Sequence, residues 1–144
     1  MPERETLERA REDAREGKSP STQAGEFVRE EIHHVREGKH GASSPQQAIA
    51  IGLSKARRAG VKLSPPKGSA SLRKKAKQDT QAAKKKRKPS ARRSRATKAV
   101  LQSEPKNTAS HSSLSRHAKQ SAAESDHEKD VNVATQCVRA NQPQ

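Results

Sequence analysis

The sequence predicts a mostly disordered chain with a small all-α region: a helical hairpin over about residues 22–60, preceded by a short charged helix. Three observations carry that expectation. Charge is partitioned along the chain, with residues 64–101 holding 14 Lys/Arg against one Asp, a net +13 out of the total +15. Apolar material is scarce: 28% of the 144 residues are hydrophobic, many of them Ala, with one Phe and no Trp or Tyr. Such a chain cannot offset the conformational entropy of ordering most of its residues. Helical apolar periodicity, finally, is confined to the stretch from residue 22 to residue 60.

Residues 3–16 alternate acid and base among strong helix formers. Glu5 and Arg9 stand four apart in the favourable order, and Glu8 and Arg11 three apart. Leu7, Ala10 and Ala14 form a thin apolar stripe, and Gly17 is a C-terminal stop. Alone, such a short helix is marginal in water. Ser19-Pro20-Ser21 reads as a break, closing a segment of residues 1–18.

Residues 19–63 form the hairpin module. In its first helix, over 22–37, Val28, Ile32 and Val35 recur at i, i+4, i+7, with Ala24 one turn earlier and Phe27 on the flank. Gly38 ends it. The second helix is punctuated by Ser44 as cap, Pro45 in the first turn, Gln47 at the capping-box position and Gly60 as left-handed terminator, with Val61 folding back. Ile49, Leu53 and Ala56 repeat at i, i+4, i+7. Gly52 inside this helix costs about 1 kcal/mol relative to Ala; it is either simply tolerated or admits the close approach of a partner backbone. A module of some 40 residues without a disulfide needs help to fold, and a homodimer through residues 22–60, sharing the seam of Val28, Ile32, Val35, Ile49 and Leu53, is the expected form of that help.

Residues 64–101 are expected to stay unfolded, because a dense charge block repels itself and has nothing to bury. Short helices over 94–101 and 113–124 are compatible with charge neutralisation. Residues 102–144 read as a neutral, Ser/Gln/Asn-rich low-complexity tail. The basic block seeks a polyanion, since each Lys or Arg that meets a phosphate releases a condensed counterion. No aromatic residue is interleaved with it, so base stacking is not available, and phosphate contact without sequence reading remains. The residues expected to bind nucleic acid are Lys55, Arg57, Arg58 and Lys62 at the end of the second helix, then Lys74, Lys75, Lys84, Lys85, Lys86, Arg87, Lys88, Arg92, Arg93 and Arg95. Arg29, Arg36 and Lys39 add positive charge on the first helix and its exit.

Other functions are excluded on chemistry. The sequence has no Gly-rich phosphate loop, nucleophile elbow or paired carboxylates in an apolar setting, and too little apolar volume for a water-excluding pocket. No enzyme and no cofactor are expected. His33 and His34 are adjacent and so about 100° apart on a helix; His40 lies on the loop, and no zinc-finger or HExxH spacing occurs. No metal site is expected, and His111, His117 and His127 show no ligand pattern. The lone Cys137 fits a reducing compartment. No apolar run approaches the length of a membrane span, and Met1-Pro2-Glu3-Arg4-Glu5 lacks a signal-peptide pattern. A cytoplasmic, nucleoid location is expected, with no membrane partner.

The stretch from Gln47 to Lys62 (QAIAIGLSKARRAGVK), preceded by Glu26 to Gly41 (EFVREEIHHVREGKHG), resembles a module of small basic bacterial proteins. These are commonly labelled DNA-binding and often carry Lys/Ala/Ser-rich tails like those of histone H1. The resemblance covers roughly residues 18–66, and the tail only by composition. The family has no established activity and defines no functional residues. Pro45-Gln46, where relatives tend to have a basic residue, and the neutral residues 102–144 depart from its pattern. What the residues and the resemblance together imply is a histone-like protein that binds duplex DNA without reading sequence. The alternatives are an interaction or regulatory module whose basic tail only speeds association, and RNA binding.

Overall fold

The start of each helix follows from its capping residues. The computed structural model describes residues 2–85 and 90–140, with side chains to residue 125. Every regular element among them is helical. They fall into two compact units, residues 1–109 and residues 110–144. Helix α1 is Arg4–Arg15, α2 is Pro20–Arg36 and α3 is Pro45–Ala59. Ser44 caps α3 by accepting the Gln47 amide at 3.2 Å, and Gly60 ends it with φ of 101°, in the left-handed region that favours glycine. Gln47 reaches back one residue beyond the expected position, accepting the Ser43 amide at 2.5 Å and the Ser43 hydroxyl at 2.8 Å. Ser19-Pro20, read from sequence as a break, is a helix start: Ser19 accepts the Thr22 amide at 3.3 Å and Pro20 sits in the first turn.

Helices α2 and α3 pack against each other, and Gly52 explains how closely. A Cβ at Gly52 would stand 2.7 Å from Val28 Cα, so only glycine lets the two backbones approach here. Two apolar clusters result. Phe27, fully buried rather than on the flank, packs with Ala10, Ala24 and Ala56, and Leu7, Leu53, Val61 and Leu63 close around them. Burying that one aromatic ring contributes about 2–3 kcal/mol. The second cluster joins Val35, Ala42, Ala48 and Ala109, with Ile32 against it. Helix α1 thus covers one end of the α2–α3 seam through Leu7 and Ala10. The other end is covered by the short 3-10 turn Asn107–Ala109. Much of the apolar seam from which a homodimer was expected is covered within one chain.

Two further segments differ from expectation. The block 64–101 carries helix α4, Ala70–Lys85, and most of α5, Ala91–Ser103. Helix α4 docks through two residues of a thin stripe, whose Leu72 stays exposed. Leu72, Ala76, Asp79 and Ala83 repeat at i, i+4, i+7, i+11, and Ala76 and Asp79 are buried where α4 meets α3. Helix α5 buries no residue, but its end is fastened: the Gly41 amide donates to Leu101 O at 2.7 Å and the Ala42 amide to Pro105 O at 2.9 Å. Thr108 Oγ1 donates to Ala42 O at 2.9 Å, and Arg36 Nε donates to Ala109 O at 2.9 Å. Residues 102–109, expected to begin a low-complexity tail, are therefore part of the first unit. The second unit is helix α6, His111–Ala140, whose first turn Ser110 caps by accepting the Ser113 amide at 3.3 Å. Among the described residues, no helix is long and apolar enough to cross a membrane.

Candidate nucleic-acid interface

The predicted contact residues separate into three groups. Lys55 is turned inward. Its Nζ lies 3.3 Å from Glu30 Oε1 and 2.5 Å from Glu31 Oε2, and the side chain is 21% exposed. Both carboxylates come from α2 and are almost fully buried. Lys55 therefore neutralises a buried acid pair between α2 and α3, where a buried charge requires a partner, and is not presented to a phosphate.

Arg58 and Lys75 meet at Asp79, the one acid of the block 64–101. Arg58 Nε and Lys75 Nζ each donate to Asp79 Oδ1 at 2.9 Å, and Ser54 Oγ donates to Oδ2 at 2.7 Å. Burial by itself would push the Asp79 carboxyl up. The hydrogen bonds from Lys75, Ser54 and Arg58 outweigh it and hold the carboxyl below its ordinary range. Asp79 is 2% exposed, whereas the Arg58 and Lys75 side chains remain about half exposed. This cluster docks α4 on α3 while leaving the two cations partly in solvent.

The third group faces outward. Lys62, Lys74, Lys84, Lys85, Arg92, Arg93 and Arg95 are exposed, and Arg57 is half-buried. None of these eight forms an ion pair among the described residues. Lys86, Arg87 and Lys88 lie outside the described residues. Neither α3 nor α5 contains an acid, and the only acid of α4 is the buried Asp79. Negative charge gathers elsewhere: Glu5, Glu8, Glu12, Asp13, Glu16 and Glu26 line one hollow with Arg9 and Lys18. Exposed cations without neighbouring acids thus collect on α4, α5 and the end of α3.

Of the remaining cations, Arg29 pairs with Glu26 at 3.3 Å, and Lys39 with Glu3 at 3.2 Å and Glu37 at 3.0 Å. Glu3 also meets His34 Nε2 at 2.9 Å; the hydrogen bonds of His34 and Lys39, in that order, hold its carboxyl below the ordinary range. Sequence reasoning missed the buried pair of Glu30 and Glu31, because two adjacent acids in a charged helix read as solvated. The available signal was Lys55, the only cation in the body of α3, set within an otherwise apolar and small-residue run. It also missed the approach of His34 and His40 to Glu31, since the return of the chain at Gly38 is not visible in helical spacing.

No curated protein and no solved structure matches the chain. A family model described as a family of unknown function, DUF6496, matches residues 14–68, from the last residues of α1 through α2 and α3.

Proposed function

We propose that this chain binds nucleic acid, duplex DNA first, by neutralising phosphates without reading sequence. The basic arm comprises α4, α5 and the Lys/Arg run between them. The observation that carries the reading is the disposition of charge on α4 and α5: exposed cations on both, with the single carboxylate buried beneath α4. A surface of this kind focuses a positive field that attracts a polyanion. Helices α1 to α3 supply the scaffold, and Asp79 fastens α4 to α3. Helix α5, with no buried residue, offers the turns ahead of its fastened end to phosphates. Lys55 takes no part in the contact. Arg58 and Lys75 contribute from their exposed sides. The reading needs no second copy of the chain, and it places the protein in the cytoplasm on the nucleoid.

Fluorescence anisotropy with labelled duplexes of unrelated sequence tests this. Affinities should agree within about threefold between sequences, because the side chains contact no base edges in a fixed geometry. Replacing Lys84, Lys85, Lys86, Arg87 and Lys88 by Gln should weaken all of them equally. A Gln variant with wild-type affinity would end the reading, and so would a strong preference for one duplex.

A further inference from the structure

Helix α2 and the loop behind it bring together three side chains that the nucleic-acid reading does not use. Glu31 and His34 stand at i, i+3 on one face of α2, and His40 is returned to them by the turn at Gly38, whose φ is 74°. One donor atom from each of Glu31, His34 and His40 lies within 4.8 Å of the others. The side chains are 1%, 12% and 16% exposed, so the donors converge in a largely water-excluded place.

The orientation of His40 is informative. Its Nδ1 lies 3.0 Å from Gly41 O. A carbonyl oxygen can only accept, so Nδ1 carries the proton. The lone pair of a neutral ring is then on Nε2, which points at Glu31 Oε1 across 2.9 Å. Two acceptors at that separation repel unless a proton or a metal ion bridges them. Metal-binding histidines are commonly oriented in this way, with the far ring nitrogen donating to a backbone carbonyl. Lys55 occupies Glu31 Oε2 and leaves Oε1 facing the imidazoles. Glu3 Oε1 lies 2.9 Å from His34 Nε2 and is not one of the three converging groups.

We propose that Glu31, His34 and His40 form a binding site for a divalent transition-metal ion, Zn2+ by its ligand chemistry. Two imidazoles and one carboxylate suit a borderline ion, and a hard oxygen-seeking ion such as Mg2+ much less. Around a Zn–N distance of about 2.0–2.1 Å, tetrahedral ligand atoms stand about 3.4 Å apart, so the Glu31–His40 pair at 2.9 Å would open slightly and His34 would adjust from within 4.8 Å. Bound metal would tie the last turn of α2 to the 38–42 loop, on which residues 101–109 are fastened.

The test uses the full-length protein with Cys137→Ser, at neutral pH, with Co2+ as spectroscopic probe and Zn2+ in competition with a chromophoric chelator. One ion per chain is expected, with visible d–d absorption from Co2+ that Zn2+ abolishes. His34→Ala and His40→Ala should each weaken Zn2+ at least tenfold, while His33→Ala and the pair His111→Ala/His117→Ala leave it unchanged. Imidazole nitrogen resonances of His34 and His40, but not His33, should shift on Zn2+ addition to the chain with all its histidines, a readout that does not depend on how the variants fold. Absence of stoichiometric binding at micromolar Zn2+ would show that only a proton bridges the pair and would overturn the proposal. Resonance shifts confined to the histidines of residues 111–127 would overturn it as well.

Discussion

Asp79→Ala removes the acceptor at the centre of the α3–α4 contact. Asp79 is 2% exposed and receives Ser54 Oγ at 2.7 Å and Arg58 Nε and Lys75 Nζ at 2.9 Å each. A hydrogen bond to a charged group contributes about 1.5–3 kcal/mol. The two cationic donors are half exposed and recover water when released, so their share is well below that range; Ser54 loses its partner in a half-buried position. The sum is about 2 kcal/mol of docking free energy for α4, which corresponds to about a 30-fold rise in the undocked population. Ala is a better helix former than Asp, so any loss must come from the contact and not from helix propensity. Hydrogen exchange resolved by residue is the assay. Amides of residues 70–85 should exchange about 30-fold faster, while those of α2 and of α3 before Ser54 keep their protection. Wild-type exchange rates across α4 in Asp79→Ala would refute the reasoning.

The same carboxylate sets a pH dependence. Its folded pKa lies below the unfolded value of about 3.9, so its stabilisation is fully present above that value and is lost as pH falls through the lower folded pKa. Exchange of α4 amides, corrected for intrinsic rates, should be flat from neutral pH to about 5 and should rise below about 4. Asp79→Ala should also release Arg58 and Lys75 to phosphates, steepening the salt dependence of duplex binding by about 1–2 units, read by anisotropy across a salt series. Gly52→Ala should destabilise the first unit by about 1–3 kcal/mol in urea denaturation, because the added methyl meets the α2 backbone at 2.7 Å and outweighs the gain in helix propensity. Ala109→Asp, which places a carboxylate against Val35, Ala42 and Ala48, should cost several kcal/mol and expose residues 104–109 to limited proteolysis.

Local signals in the sequence were legible where they act on adjacent residues. Ser44, Pro45 and Gly60 mark α3 within a residue of its observed ends, because capping is decided by backbone groups three or four residues away. Ser19-Pro20 was the same signal, obscured because Ser-Pro reads equally as a turn. What the sequence hid depends on distant partners or on small side chains. The stripe Leu72, Ala76, Asp79, Ala83 has helical spacing, but only one member is a large apolar residue, and the Asp becomes a core-facing group only once Ser54 and Arg58 are in place. Residues 101–109 dock through backbone hydrogen bonds to Gly41 and Ala42, which leave no side-chain pattern to find. Part of the apolar content that argued for a partner is used within the chain, because Gly52 lets α2 and α3 approach closely and Ala fills the narrow gap that results. For the site, exposed cations on α4 and α5 agree with a count of charges, whereas the inward turn of Lys55 follows from two buried glutamates that no count distinguishes from surface acids.

The salt dependence of duplex binding by the full-length protein tests the central claim most directly. If about 6–10 cations of the arm meet phosphates at once, log K should fall with log salt at a slope of about −5 to −9, and the five Gln substitutions over residues 84–88 should flatten it by about 4 units. A slope near zero, or one unchanged in the Gln variant, would contradict phosphate neutralisation by this arm.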